Sequence, residues 1–359
     1  MRNMSEIQTA SEPILAARYS GPKAIGIQQV PAAGLGSEEV KIAVSACGIC
    51  GTDLHFFSGR WPQPGFTPGH EIAGTIIEIG PGVKDWKPGD RVCVEPIVAC
   101  GTCSYCQRGE ISLCRSFQFI SVHRDGGFAT RVVVPQDCLY KLPPELSDDL
   151  AALVEPLAVG VHAARVGGIG PGDRVVVCGS GTIGLSCVVA ARALGASQVT
   201  SAARHPHQAE TARQLGAIPV APEDLEKAVL DATAGEGSDI VIETVGGPGQ
   251  AVGQALGVVR SGGTVVLAGG FTRPTSVHLA RVVNREIRLV GSNCYSRDHT
   301  PTDFEMAIRI ATSGSYPLER IVTHRFPLGE IADAFAAALD KSTGAIKVQV
   351  NMPEGIVRL

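Results

Sequence analysis

From Cys47 to Glu71 the chain reads CGICGTDLHFFSGRWPQPGFTPGHE. This stretch gathers a thiol (Cys50), a hydroxyl and a carboxylate (Thr52, Asp53), an imidazole (His55) and a His-Glu pair (His70, Glu71). Thiolate, imidazole and carboxylate are the donors that zinc accepts. Buried without partners, such groups carry a desolvation penalty, and one metal ion can satisfy several of them. Taken alone, the stretch could equally be a loop with a hydrogen-bonded His and an ordinary Cys. The rest of the chain argues otherwise.

A second cluster, CGTCSYCQRGEISLC, places Cys100, Cys103, Cys106 and Cys114 in the spacing C-x2-C-x2-C-x7-C. Four thiols this close can enclose one ion tetrahedrally with no open position, as structural zinc requires. An ion also orders a loop that has few apolar residues of its own. Bacterial iron–sulfur spacing has a three-residue gap before the last Cys and Pro after it, whereas here the gap is seven and Arg115 follows. Two disulfides are the other alternative, and the reducing compartment inferred below argues against them.

A third signal is VVVCGSGTIGLSCVVAARALGA. An apolar run leads into G-x-G-x-x-G (Gly179, Gly181, Gly184), and an Ala- and Leu-rich helical stretch follows. Between a buried strand and a helix this triplet is a dinucleotide fingerprint. Gly179 permits the turn, Gly181 admits a pyrophosphate, and Gly184 lets helix and strand pack closely. The backbone N–H groups around Ser180, Thr182 and Ile183 then face the phosphates at the helix start.

The positioning elements follow from patterning. PILAARYS, AIGIQQV, EEVKIAVSAC, EIAGTIIEIG and RVCVEPI read as strands separated by turns. We expect an all-β barrel region to about residue 145, with no helical period of any length. SDDLAALVEPLAVGVHAARVGG is helical, with Ser147 as N-cap. After it, VVVC, SQVTSAA, AIPV, SDIVIETVG, GGTVVLAGG and EIRLVGS alternate with helices, predicting a six-stranded doubly wound parallel sheet. From Cys294 the pattern leaves that sheet. The helix in TDFEMAIRIATSG, then VTHRFPLGEIADAFAAALDK and GAIKVQV, are expected to return to the first domain.

A chain of 359 residues suits two domains. Hydrophobic content of 44% with 18% charged residues describes a globular protein. Net charge is −4 and there is no basic run, which excludes nucleic acid as the expected partner. No apolar run reaches membrane-spanning length, and the opening MRNMSEIQTASEP lacks a signal-peptide core. We therefore expect a cytoplasmic protein.

Together these residues resemble the zinc-dependent medium-chain dehydrogenases, most closely their sorbitol (polyol) and threonine dehydrogenase branch. The carriers are CGICGTDLH, GHEIAG, the four-thiol lobe, DGGFATRVVVP, EPLAVGVHA, VVVCGSGTIGL and GAIKVQV. The resemblance implies a discontinuous GroES-like catalytic domain (1–157 and 296–359) and a Rossmann domain (158–295), with the active site between them. It implies hydride transfer between a secondary alcohol and a nicotinamide cofactor, two zinc ions per chain, and a homotetramer or homodimer. A polyol or vicinal diol is the first substrate class. Threonine or a simple alcohol is the alternative, and a non-enzymatic zinc- and nucleotide-binding protein is the rival of another kind.

By the same resemblance the catalytic zinc falls to Cys50, His70 and Glu71. Glu155 stands where the alcohol dehydrogenase branch has a second Cys, and it would orient the zinc-bound water or alternate as a ligand. Zinc would act as a Lewis acid on the hydroxyl. Thr52 would accept its proton and pass it through the cofactor ribose to His55, whose pKa suits the exit. Asp53 would orient a zinc ligand. Where NAD enzymes carry an acid at the end of the second strand, this chain has Ala203 followed by Arg204. That exchange suits a 2′-phosphate and hence NADP, although NAD remains open. Phe56, Trp61, Phe119 and Arg297 are the guesses for the cleft lining. Cys47, Cys93, Cys138, Cys178, Cys187 and Cys294 read as core residues.

Overall fold

The computed structural model describes residues 14–31, 33–247 and 249–353; the N-terminal stretch screened above for a signal peptide lies outside the described residues. Alternating apolar residues make the first half a strand region. Ile14–Gly21 and Ala24–Val30 form an antiparallel hairpin. Glu39–Gly48 is the central strand of a larger sheet, pairing with Glu71–Ile79, Arg131–Pro135 and Lys347–Asn351. Strands Arg91–Val94 and Leu139–Lys141 extend one side, and Val322–Pro327 extends the other. The C-terminal segment thus joins the N-terminal sheet, as the pattern suggested.

The core of this half includes Val40, Ile42, Ile72, Ile76, Phe128 and Val350. The helix Ile331–Leu339 closes it with Phe335, whose ring centroid lies 5.0 Å from Phe57, 5.7 Å from Phe128 and 6.2 Å from Tyr19. Burying such a ring stabilises by about 1.5–3 kcal/mol.

The second half is a six-stranded parallel sheet. Its order is Ile218–Val220, Gln198–Ala202, Arg174–Cys178, Ser238–Glu243, Val259–Leu267, Arg288–Gly291. Val175, Val176 and Val177 are buried, as a strand covered on both faces requires. Ser147 caps the helical stretch before it, its hydroxyl accepting from Leu150 N–H at 3.4 Å. That stretch is two pieces, Asp148–Ala152 and Val154–Gly167.

One expectation needs correction. The barrel half does contain helix: Gly51–Phe57 lies inside the first metal-like stretch and Ser104–Gln107 inside the lobe. Each is too short to show a helical period, and Gly51–Phe57 is held by the Cys50–Asp53 capping box together with buried Phe56 and Phe57. The helices Gln250–Val258 and Leu279–Asn284 were likewise not individually legible. Among the described residues, no helix is long and apolar enough to cross a membrane.

Candidate active site

The central strand ends at Gly48, and the helix Gly51–Phe57 begins with Cys50 at its N-cap. The neighbouring strand Glu71–Ile79 begins at Glu71 with His70 just before it. Two antiparallel strand ends therefore bring together donors 20 residues apart in sequence. Donor atoms of Cys50, His70 and Glu71 all lie within 4.8 Å of one another. His70 and Glu71 are almost wholly buried. Burial and then the Glu71 carboxylate push the Cys50 thiol up to about 11, an effect that a bound cation reverses.

Supporting residues fix this set. Asp53 accepts from Cys50 N–H at 2.9 Å and from Gly69 N–H at 3.3 Å. Its carboxylate is 3.9 Å from His70 Nδ1, beyond hydrogen-bond range. It therefore holds the backbone of the donor residues rather than the ring. The ring's nearer partner is Ser121, whose Oγ lies 3.3 Å from Nδ1, which leaves Nε2 as the free nitrogen. Lys347, also buried, donates to Glu71 Oε1 at 2.6 Å and to Ile49 O at 2.9 Å. Burial opposes its charge, but Glu71, Cys50 and Glu155 more than offset that and hold its pKa above the ordinary lysine value. Gly48 leaves room for Glu71, since a Cβ there would overlap Oε2.

Glu71 Oε2 is buried without a partner among the described residues. An orphan carboxylate oxygen beside a thiol and an imidazole nitrogen is a donor set that fits zinc. Glu155 lies outside this three-residue set, though close to it in the first turn of Val154–Gly167. Burial pushes it up to about 8, opposed by His70 and reinforced by Glu71 and Cys50.

Thr52 and His55 lie three apart on the helix Gly51–Phe57 and so share a face. His55 packs against Trp61 with ring centroids 4.7 Å apart and planes tilted by 45°, and burial with the Arg60 charge lowers its pKa. Of the guessed lining, Phe119 packs on His70 with ring centroids 5.0 Å apart, while Phe56 is buried. The Arg297 guanidinium pairs with buried Glu95, Nε reaching Oε2 at 2.7 Å. Cys294 is half-buried and packs against the edge of the core, and its thiol is pushed up to about 12 by burial and then by Glu155 and Cys50.

The lobe forms as expected, with the sulfurs of Cys100, Cys103, Cys106 and Cys114 mutually within 4.8 Å. All four are free cysteines, with sulfur separations of 3.8 Å (Cys100 to Cys106) and 3.5 Å (Cys103 to Cys106), well beyond a disulfide bond. Backbone N–H groups of Thr102 and Cys103 pull the Cys100 thiol down to about 6. Cys106 is pushed up to about 12 by desolvation and by the sulfurs of Cys103 and Cys114. Four thiolates cannot share this space without a cation, so the lobe also fits zinc.

In the second half, Gly179 has φ of 108°, and a Cβ on Gly184 would overlap the Gly179 carbonyl. A Cβ on Gly181 would meet nothing within 4 Å, leaving that face open. The hydroxyl of Ser180 bonds Ser201 Oγ at 2.7 Å and donates to Ala202 O at 3.0 Å. Thr182 Oγ1 donates to Ile346 O at 3.1 Å, and Ile183 packs on the core. Buried Ala203 donates its N–H to Val220 O at 2.9 Å. Arg204 is exposed, with no ion pair or hydrogen bond of its side chain among the described residues. The rings of His205 and His207 stack beside it at 5.4 Å.

This pairing of a metal-type donor set with a dinucleotide loop defines an oxidoreductase. Residues 36–144 match the alcohol dehydrogenase GroES-like domain, and residues 182–313 match the zinc-binding dehydrogenase family. Sorbitol dehydrogenase of Bacillus subtilis (strain 168) is 33% identical over 95% of this chain and 98% of its own length. L-idonate 5-dehydrogenase of Vitis vinifera is 34% identical over 95% of each chain. A protein of Sinorhizobium meliloti 1021 solved with NADP superposes with a TM-score of 0.87 at 32% identity, covering 95% of this chain and all of its own. The chain belongs to the polyol dehydrogenase branch of the zinc-dependent medium-chain dehydrogenases.

Proposed function

We propose that this enzyme oxidises a secondary alcohol flanked by a second hydroxyl, a polyol or vicinal diol, to the ketose or ketone, with NADP as acceptor. The observation that carries the substrate class is the donor set itself: one thiol, one imidazole and one carboxylate, with Glu155 rather than a second thiol beside it. Zinc held by Cys50, His70 and Glu71 would supply Lewis acidity to the alcohol oxygen. Thr52 takes the hydroxyl proton. His55, kept neutral by its lowered pKa, receives it for release to solvent. Phe119 covers the His70 ring and limits water there. Cys100, Cys103, Cys106 and Cys114 hold a second, structural zinc.

The cofactor preference rests on Ala203 and Arg204. The strand end lacks the carboxylate that would grip a ribose 2′-hydroxyl, and the exposed guanidinium has no competing partner among the described residues. The backbone around Gly179, Ser180, Gly181, Thr182, Ile183 and Gly184 binds the pyrophosphate. The relative solved with NADP supports the same choice. We divide the chain into a catalytic domain of 1–157 with 296–359 and a nucleotide domain of 158–295, supported by the pairing of Lys347–Asn351 with Glu39–Gly48. The test is turnover of polyols, butanediol, threonine and simple alcohols, each with NAD and with NADP. Ethanol turned over far better than sorbitol, xylitol or butanediol would defeat the substrate class.

A further inference from the structure

The segment from the strand Arg288–Gly291 to the helix Asp303–Thr312 carries the chain from the parallel sheet back to the first half. It starts beyond the carboxyl end of a parallel strand, where ligands of such sheets bind. Cys294 stands there with φ of 54°, a conformation that an L-residue keeps only when its surroundings hold it.

Two clamps hold this segment. The first is on the four-cysteine lobe. The carbonyl of Gly109, between Cys106 and Cys114, accepts from Arg297 N–H at 2.8 Å and from Ser296 Oγ at 3.0 Å. Ser296 Oγ in turn accepts from Asp298 N–H at 3.3 Å. The Arg297 guanidinium is locked on Glu95 and donates to Asp137 O at 2.7 Å. The fit is close: a Cβ on Gly109 would sit 2.6 Å from both Arg297 C and Asp298 N. The second clamp is Asp303, fully buried, which accepts from Ser296 N–H at 2.8 Å, His162 Nδ1 at 2.8 Å and Arg165 Nη1 at 2.6 Å. His162 and Arg165 lie on the helix whose first turn carries Glu155.

We propose that the four-cysteine lobe is a positioning element for the active site: through the Gly109 carbonyl and Ser296 it holds residues 294–298, the segment that leaves the carboxyl end of the parallel sheet where the substrate meets the cofactor. The inference rests on the dehydrogenase reading. The lobe thereby does more than stabilise its own loop, and Ser296 and Gly109 act on the reaction through the residues they hold.

Ser296→Ala tests it in the zinc-loaded enzyme. The variant removes one of two donors to Gly109 O and leaves Arg297 N–H in place, so the fold should stand. Expected are unchanged zinc content and KM for NADP, faster amide hydrogen exchange confined to residues 296–298, and kcat/KM for the best alcohol lowered about twofold to tenfold, the range of one lost hydrogen bond. Gly109→Ala, which pushes on the same segment sterically, should change the ranking of alcohols in the panel. Unchanged exchange in Ser296→Ala overturns the clamp. Faster exchange with unchanged alcohol kinetics in both variants overturns the positioning role. An unmodified enzyme that oxidises no alcohol defeats the dehydrogenase reading instead, and the exchange measurement still judges the clamp.

Discussion

Replacing Lys347 with Met separates the metal's contribution to the fold from the protein's own. Lys347 Nζ is 2.6 Å from Glu71 Oε1, and both side chains are buried. Removing one partner of a buried pair leaves an uncompensated charge and costs about 3–5 kcal/mol. Lys347→Met should lower the stability of the metal-free protein by about that amount. In the zinc-loaded protein the ion faces the same carboxylate and takes over its compensation. The substitution also removes the repulsion between the ammonium and the ion. If the loaded form loses only about 1–2 kcal/mol, linkage requires the variant to bind zinc at this site roughly tenfold or more tightly than the unmodified protein. Urea unfolding of both proteins in both forms gives the four free energies, and competition with a chelator gives the affinity independently. Equal losses in the two forms, or weaker zinc binding by the variant, would refute the reasoning.

Arg204→Ala should raise KM for NADP about ten- to hundredfold with little change in kcat, because a charge-assisted phosphate contact is worth about 1.5–3 kcal/mol and is remote from the reacting carbon. Ala203→Asp should reverse the preference, and equal use of NAD and NADP by the unmodified enzyme would show that Arg204 binds no phosphate. Elemental analysis should find two zinc per chain, and a chelator should remove the ion of the carboxylate-containing site before that of the four-thiolate lobe; reversed order would contradict the assignment. Arg60→Ala should raise the pKa of His55, since burial and the Arg60 charge both lower it. With the neutral ring as the proposed proton acceptor, activity should fall as pH drops through that pKa, and the acid limb of the kcat profile should move to higher pH in the variant. An unmoved limb would exclude His55 from the proton path.

Local patterns made much of this legible. The four cysteines and the glycine triplet lie within short spans whose chemistry is local, so spacing alone located them. The apolar run at Val175 to Val177 likewise announced a doubly covered strand. Lys347 was not legible as a partner of Glu71, 276 residues away. The available signal was a lone Lys within the apolar run GAIKVQV, a charge that burial obliges to find a counter-charge. Ser121 carried no signal, because its contact with His70 depends on a turn with φ of 83°. The helix Gly51–Phe57 fell below the length at which periodicity speaks. The pairing of Arg297 with Glu95 was not legible either, since the partners lie 202 residues apart.

The most direct test of the central claim is NADP reduction by the zinc-loaded enzyme, followed by absorbance, with sorbitol, xylitol and butanediol, beside Cys50→Ser. The unmodified enzyme should reduce NADP with at least one of these alcohols. Cys50→Ser should keep one zinc per chain and the NADP affinity yet lose turnover by at least about a hundredfold, the scale of removing an electrostatic catalyst. Turnover by Cys50→Ser comparable to the unmodified enzyme, with its zinc content undiminished, would contradict the assignment of the catalytic site.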